Sequence, residues 1–311
     1  MQSLLEQQVL KAGLIGLFLF VVAAFTHADV TGGTNDPKLL LDKMLAARSG
    51  LSYRGSIVYE GGEQLLSYSV DSTHPESPGI QVFETLSGPS KVYEFAKHSK
   101  CSARTISSNQ LSDWYNFSYI GSSRIAGRAA HAISIRPVDP HRLGYNFVID
   151  EETGFMLRST TMLPNRRILE RVQFVEVSFQ TASYQSLEEP ELISNESLGN
   201  IQLPSDEQVL CAATDSVNGW ELGWAPDGFD MVKQSQNSDS GSFLFTDGLS
   251  SFSLLYEPVA ELEIPAGTTQ RGATTLHIKY YSVQGKAYMV TFVGEVPPMT
   301  AERVMVNLIK H

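Results

Sequence analysis

The chain has 311 residues, 18% of them charged, and a net charge of −11 at pH 7. That excess of acid excludes a general nucleic-acid binder, which needs a positive footprint. Its two cysteines, Cys101 and Cys211, permit one disulfide in an oxidising compartment, but nothing in their spacing says whether they pair or stay as thiols.

In chain order, the first feature is "AGLIGLFLFVVAAF", Ala12 to Phe25, uncharged and preceded by Lys11. About 20 apolar residues are needed to cross a bilayer, so this run is short for an anchor. It fits the apolar region of an export signal, and Thr26-His27-Ala28 predicts cleavage after Ala28. No cysteine lies near this boundary to carry a lipid. Residues 1–28 are therefore expected to be a signal peptide and the mature chain to be exported.

A helix is expected next. Asn35 or Asp36 can cap it, Pro37 suits its first turn and Gly50 can end it. Leu41, Met44, Leu45 and Arg48 share one face, an apolar stripe with a snorkelling arginine. "LSYRGSIVYEGGEQLLSYSV" then reads as a hairpin. A two-residue Gly61-Gly62 turn places Tyr59 opposite Gln64, Ile57 opposite Leu66, Gly55 opposite Tyr68 and Tyr53 opposite Val70. Downstream, "HAISIRP", "LGYNFVIDEETGFMLRSTTML" and "RRILERVQFVEVSF" read as long strands joined at "DEETG" and "LPNRR". Leu143, Tyr145, Phe147 and Ile149 alternate onto one face. One helix followed by such strands predicts a large domain, residues 29–185, in which a curved antiparallel sheet wraps helices.

From Thr181 to Asn218 the periodicity fades into Glu, Ser, Asn and Pro, and a linker is placed at 186–215. The rest, 216–311, reads as a smaller α+β domain of three to five strands. Its closing helix takes Thr300 as N-cap, has Glu302 in the first turn, and sets Ala301, Val304, Met305 and Leu308 on one face. The fold class is thus α+β. Charge divides unevenly between the two units. Gly121–Val175 holds eight arginines against five acids, whereas Thr181–Gln270 holds fifteen acids and Lys233 alone as a base. This pattern fits two units with different partners, units that attract each other, or simply two solvated faces.

The motifs of chemistry are missing. There is no His-Glu-x-x-His, Cys-x-x-Cys, Gly-x-Ser-x-Gly or glycine-rich phosphate loop. The expectation is no catalytic residue, no metal and no cofactor, hence no enzyme. His131, without an activating partner, reads as structural. The carboxylates of "SLEEPE" and "IDEETG" sit in turns and lack the ligand ladder of a calcium loop. Arg124, Arg128, Arg166 and Arg167 are candidate clamps for phosphate or carboxylate groups, with exposed turn arginines as the plainer alternative. Tyr53, Ile57, Tyr59, Leu66, Tyr68 and Val70 would line the concave side of the sheet, either as core or as an underfilled cavity that accepts acyl chains.

Taken together, "LDKMLAARSGLSYRGSIVY", "GSSRIAGRAAHAISIRPVDPHRLGYNFVIDEETGFMLRSTTML" and "RRILERVQFVEV" resemble the large domain of the RseB/MucB family. "GWAPDGF", "FTDGLSSFSL" and "VTFVGEVPPMTAERVMVNLIK" resemble its small domain. The resemblance runs over nearly all of the mature chain in the same order, though less clearly from Ser72 to Asn116. It implies a LolA/LolB-like large domain and a periplasmic negative regulator of a sigma-E-type envelope stress response. Such a regulator binds the periplasmic part of a membrane-spanning anti-sigma factor (RseA/MucA-like), shields it from regulated proteolysis, and is released by lipopolysaccharide or lipoprotein acyl chains. A homo-oligomer is compatible with this. A lipid or lipoprotein carrier is the alternative, but it would need only the first domain.

Overall fold

In a computed structural model of the chain, residues 35–62, 64–73, 80–96, 107–180, 208–210, 216–217, 219–236, 239–260 and 264–310 are described. The expected export signal, both cysteines and most of the expected linker lie outside them.

Helix α1 spans Pro37–Gly50, and the Asp36 carboxylate accepts a hydrogen bond from the Lys38 N–H at 2.9 Å. That bond satisfies one of the amides left unpaired at a helix start. Leu41 and Met44 are buried as expected and Leu40 joins them; the Arg48 side chain lies outside the description.

Strands β1 (Ser52–Gly61) and β2 (Gln64–Asp71) form the expected hairpin in a different register. Tyr59 pairs with Leu66, Ile57 with Tyr68 and Gly55 with Val70, while Gly61 pairs with Gln64. The turn therefore falls one residue later than expected. Gly62 takes a left-handed φ of 59° there, whereas Gly61 stays in the strand with the Tyr59 phenol against its Cα. Only glycine adopts such a φ freely or leaves such space. Each partner moved by two residues, an even step, so every side chain keeps the face assigned to it.

Strands β3 (Ile80–Thr85) and β4 (Val92–Ala96) extend this meander, and a one-turn helix α2 (Ser108–Leu111) follows. A second meander then runs through β5 (Tyr115–Ile125), β6 (Arg128–Pro137), β7 (Gly144–Asp150), β8 (Met156–Met162) and β9 (Ile168–Gln180). Strand β9 pairs with β1, which gives a nine-stranded antiparallel sheet in the order β4-β3-β2-β1-β9-β8-β7-β6-β5, not closed edge to edge. Helix α1 covers one half of it. Leu40, Leu41 and Met44 pack with Leu143, Tyr145, Phe147 and Ile149, the expected alternating face, together with Ile133 and Ile135. A separate cluster centred on Tyr53, Ile57, Tyr68, Phe155 and Phe174 fills the other half.

The remainder comprises β10 (Gln208–Leu210), β11 (Ser216–Val217), β12 (Trp220–Leu222), β13 (Asp230–Gln236), β14 (Gly241–Thr246), β15 (Ser251–Pro258), β16 (Gly267–Arg271), β17 (Thr274–Val283), β18 (Lys286–Gly294), α3 (Pro298–Val306) and β19 (Leu308–Lys310). Seven of these strands make one sheet, β10-β13-β14-β15-β18-β17-β16, and three make another, β11-β12-β19. This exceeds the three to five strands expected: "DMVKQSQ" and "GTTQR" are polar strands without apolar alternation, and β10, β11 and β19 are only two or three residues long, too short to show a period. Strand β10 lies inside the stretch expected to be linker. Helix α3 starts earlier than expected: Pro297 is its N-cap, Thr300 is buried inside it, and Leu308 belongs to β19. Ala301, Val304 and Met305 do face the core, against Trp220, Phe252 and Phe292. Among the described residues the protein is mainly antiparallel sheet with few helices, more β-rich than the expected α+β, and no helix is long and apolar enough to cross a membrane.

Candidate functional site: the junction of the two sheets

The two large sheets meet through built polar contacts. The turn between β14 and β15 supplies the first. Asp247 Oδ1 accepts the N–H groups of Leu249 and Ser250 at 2.9 and 2.8 Å, a local aspartate turn. This pins the carboxylate so that Oδ2 faces the first sheet, where it accepts from Arg142 Nε at 2.9 Å and from the Tyr115 hydroxyl at 2.8 Å. Both charged side chains are 0% exposed. Arg142 also donates to the Asp139 carboxylate and the Asp227 carbonyl, and its guanidinium lies 5.0 Å from the Trp114 ring and 5.3 Å from that of Phe229. Beside it, the Tyr145 and Ser250 hydroxyls bond at 2.7 Å. Leu249 enters the apolar cluster under α1.

Burial pushes the Asp247 carboxyl upward, while the turn amides, Arg142 and Tyr115 work against that shift. The Tyr115 and Tyr145 phenols are raised far above their ordinary range, first by burial and then by neighbouring carboxylates. Both phenols therefore stay neutral, and that of Tyr115 donates to the Asp247 carboxylate.

A second contact joins β9 to the β16–β17 turn. Glu170 is 2% exposed and accepts from the Ala273 N–H at 3.0 Å and the Tyr59 hydroxyl at 3.2 Å. Next to it Arg271 reaches the Gln64 amide oxygen at 2.5 Å. Glu295, just beyond β18, is buried too. Burial raises the carboxyls of both glutamates, and that of Glu295 is pushed further by the charge of Glu170.

The third contact is His141. The Thr300 hydroxyl donates to its carbonyl at 3.2 Å, and Arg303 Nη1 lies 3.3 Å from its Nε2. Since an arginine can only donate, Nε2 must accept, so Nδ1 carries the proton and donates to Thr300 Oγ1 at 3.3 Å. Burial lowers the imidazole pKa, and the Arg303 and Arg142 charges lower it further against Asp139, consistent with a neutral ring. Trp224 packs edge-on to His141 at 5.1 Å and lies under the Arg303 guanidinium at 3.9 Å.

The residues singled out in the sequence are placed as follows. Tyr53, Ile57, Tyr68 and Val70 are buried in one cluster, and Tyr59 and Leu66 pack against it. The six come together, packed as core. The four arginines do not. Arg124 and Arg128 flank the β5–β6 turn, whereas Arg166 and Arg167 lie in the β8–β9 turn at the other end of β7, roughly 20 Å of strand away. Arg128 is a structural residue: it holds both Asp150 carboxylate oxygens at 2.7 and 2.9 Å, bonds Glu152 at 2.7 Å, and covers Phe179. The "IDEETG" acids thus serve this turn. Arg166 is exposed, with a left-handed φ of 70°, and Arg167 is exposed beside it. His131 Nδ1 meets the Tyr119 hydroxyl at 3.1 Å within the β5–β6 hairpin.

Sequence reasoning passed over Arg142, Asp247, Tyr115, Glu170 and His141. Periodicity gives no weight to a charged residue in a loop, so the signal lay elsewhere. "PHRLG", "GWAPDGF" and "FTDGLSS" are loop segments of the family resemblance, and these three meet at the junction.

Comparison with known proteins agrees. Residues 95–198 match the model of the MucB/RseB N-terminal domain, and residues 214–309 match that of the MucB/RseB C-terminal domain. The sigma factor AlgU regulatory protein MucB of Pseudomonas aeruginosa is 28% identical over 214 residues, 66% of this chain and 64% of that protein. The sigma-E factor regulatory protein RseB of Haemophilus influenzae is 30% identical over 201 residues, 63% of this chain and 60% of that one. The chain thus spans under two thirds of the length of these two relatives. The crystal structure of MucB in complex with MucA(peri) superposes with a TM-score of 0.64 at 24% identity, over 89% of this chain and 99% of that chain, a likeness of fold. With both family domains matched in order along one chain, the protein belongs to the MucB/RseB family.

Proposed function

We propose that this protein is a periplasmic negative regulator of a sigma-E-type stress response. It binds the periplasmic part of a MucA-like anti-sigma factor and protects it from regulated proteolysis. One observation supports this reading above the others: the fold likeness to MucB, crystallised with MucA(peri), extends over both sheets and 89% of this chain. Export with cleavage after Ala28, and release by lipopolysaccharide or lipoprotein, belong to the same proposal. The carrier alternative is less favoured, because the six residues that would line its cavity are packed as core.

Calorimetric titration of the mature chain with the periplasmic segment of its own anti-sigma factor tests the reading. Saturable binding, with slower protease cleavage of the bound segment, is expected. Absence of binding at about 100 µM, an affinity weaker than roughly −5.5 kcal/mol, overturns it.

A further inference from the structure

Of the three junction contacts, that of His141 depends on a group whose charge changes near neutral pH. The ring spends both nitrogens on α3: Nε2 accepts from Arg303 Nη1 at 3.3 Å, and Nδ1–H donates to Thr300 Oγ1 at 3.3 Å. A proton added at Nε2 changes the first bond in kind. Arginine has no acceptor, so two donors and two positive charges then face each other where a hydrogen bond had been. Arg303 also covers the Trp224 ring at 3.9 Å, so moving the guanidinium uncovers the indole. The charges around the ring are Asp139 and Arg142 of its own loop and Arg303 of α3, while the loop after β12 presents the neutral Trp224 ring. Asp139 favours the imidazolium and both arginines oppose it. Asp139 belongs to the β6–β7 loop, where it accepts the His141 backbone N–H at 2.8 Å and the Arg142 guanidinium. A protonated ring drawn to it turns toward the first sheet and away from α3.

We propose that His141 is an acid-released latch between the two sheets: neutral, it fastens α3 to the β6–β7 loop; protonated, it expels Arg303 and frees that side of the junction. Burial and the two arginines hold the imidazole of the closed state below its ordinary 6.5, so the open state binds the proton more tightly. The closed state is therefore fully favoured above about pH 6.5 and loses ground as pH falls through the lowered value. Glu170 responds in the opposite sense: burial favours its neutral form, so acid does not weaken the contact with the β16–β17 turn. The release is thus a local opening at α3, not a separation of the sheets. The latch belongs to the chain itself and does not depend on the regulator reading.

The test follows the full mature chain from about pH 8 to about pH 5, the range over which histidine changes charge. His141 is titrated through its imidazole proton resonances, assigned with His141→Gln, and opening is read from acrylamide quenching of tryptophan fluorescence. Of the three tryptophans, Trp220 is 0% exposed, so quenching reports Trp114 and Trp224, both half-buried at the junction. A His141 midpoint below 6.5 is expected, with quenching rising as pH falls through that same midpoint and far-ultraviolet circular dichroism unchanged. His141→Gln keeps an acceptor for Arg303 but takes no proton, and should show no acid rise in quenching. Arg303→Gln, at an exposed position, should move the His141 midpoint upward. The latch is overturned by a midpoint at or above 6.5, by flat quenching while His141 titrates, or by a rise that persists in His141→Gln. A midpoint unmoved in Arg303→Gln overturns it too, and so does a loss of circular dichroism that accompanies the rise, since the opening is then unfolding. Comparison of the two wild-type midpoints decides the matter even if either variant fails to fold.

Discussion

Replacing Arg142 by Met is the sharpest perturbation of the junction. The substitution keeps an unbranched apolar stem against Trp114 and Phe229, and removes the cation from a side chain that is 0% exposed. Asp247 then stays buried with three donors, Leu249 N–H, Ser250 N–H and the Tyr115 hydroxyl, but without a countercharge. Breaking a buried pair from one side costs about 3–5 kcal/mol. The three remaining donors still solvate the carboxylate, so the lower end applies, about 3 kcal/mol. At ~2–4 °C per kcal/mol for a chain of this size, the midpoint should fall by about 6–12 °C. Urea and thermal unfolding followed by circular dichroism measure this. Arg124→Met, at an exposed arginine, is the control and should stay within about 0.5 kcal/mol. Adding Asp247→Asn to Arg142→Met should restore part of the loss, with a coupling of about 1 kcal/mol or more. If Arg142→Met behaves like Arg124→Met, the buried pair does not hold the sheets together and the reasoning is refuted.

Three further expectations concern other parts of the molecule. Glu170 and Glu295 have raised carboxyl pKa values, so the folded state holds their protons more tightly than the unfolded chain does; their contribution is full below the ordinary glutamate range of about 4.3 and declines as pH rises above it. Glu295→Gln should therefore flatten the decline of the melting temperature above about pH 5, and an unchanged slope would exclude it as the source. Ile57→Val should cost about 0.5–1.5 kcal/mol, as for a core methyl, and leave any lipopolysaccharide binding intact; a loss of lipid binding without a loss of stability would restore the acyl-cavity reading. Arg166→Glu with Arg167→Glu, in an exposed turn, should change stability by less than about 0.5 kcal/mol per site; the pair takes part in the switch if lipopolysaccharide then fails to release the anti-sigma segment in a pull-down.

Much of the fold was legible because it is written in alternation. Leu143, Tyr145, Phe147 and Ile149 reach one apolar cluster as the period of two demands. Asp36 and Pro37 start α1 as their chemistry requires. The hairpin turn was misplaced because two adjacent glycines each permit a left-handed φ, and only the Tyr59 ring packed on Gly61 decides between them. Strands β13 and β16 escaped notice because polar strands have no hydrophobic pattern to read. The junction was least legible. Attraction between the arginine-rich and acidic stretches was one reading of the charge imbalance, and Arg142 with Asp247 is such a pair. Which of eight arginines would be buried depends on contacts more than a hundred residues apart, and no local rule reports those.

Leu249 and Ala273 belong to the second sheet's turns, yet they complete the apolar cluster beneath α1. This has a consequence for how the chain acquires its structure. During synthesis the nine strands of the first sheet emerge first, and their interior then lacks two of its inhabitants. Tyr115 waits for Asp247, 132 positions later, and Tyr145 waits for Ser250, 105 positions later. Contacts at such separation are entropically slow to close, and the unfinished interior exposes apolar surface in the meantime. A nascent chain halted before Asp247 should therefore be prone to aggregation and susceptible to proteases, and extension past Ala273 should relieve both. The first sheet is not a free-standing module onto which a second was added; it acquires its last core residues only when the second sheet closes on it.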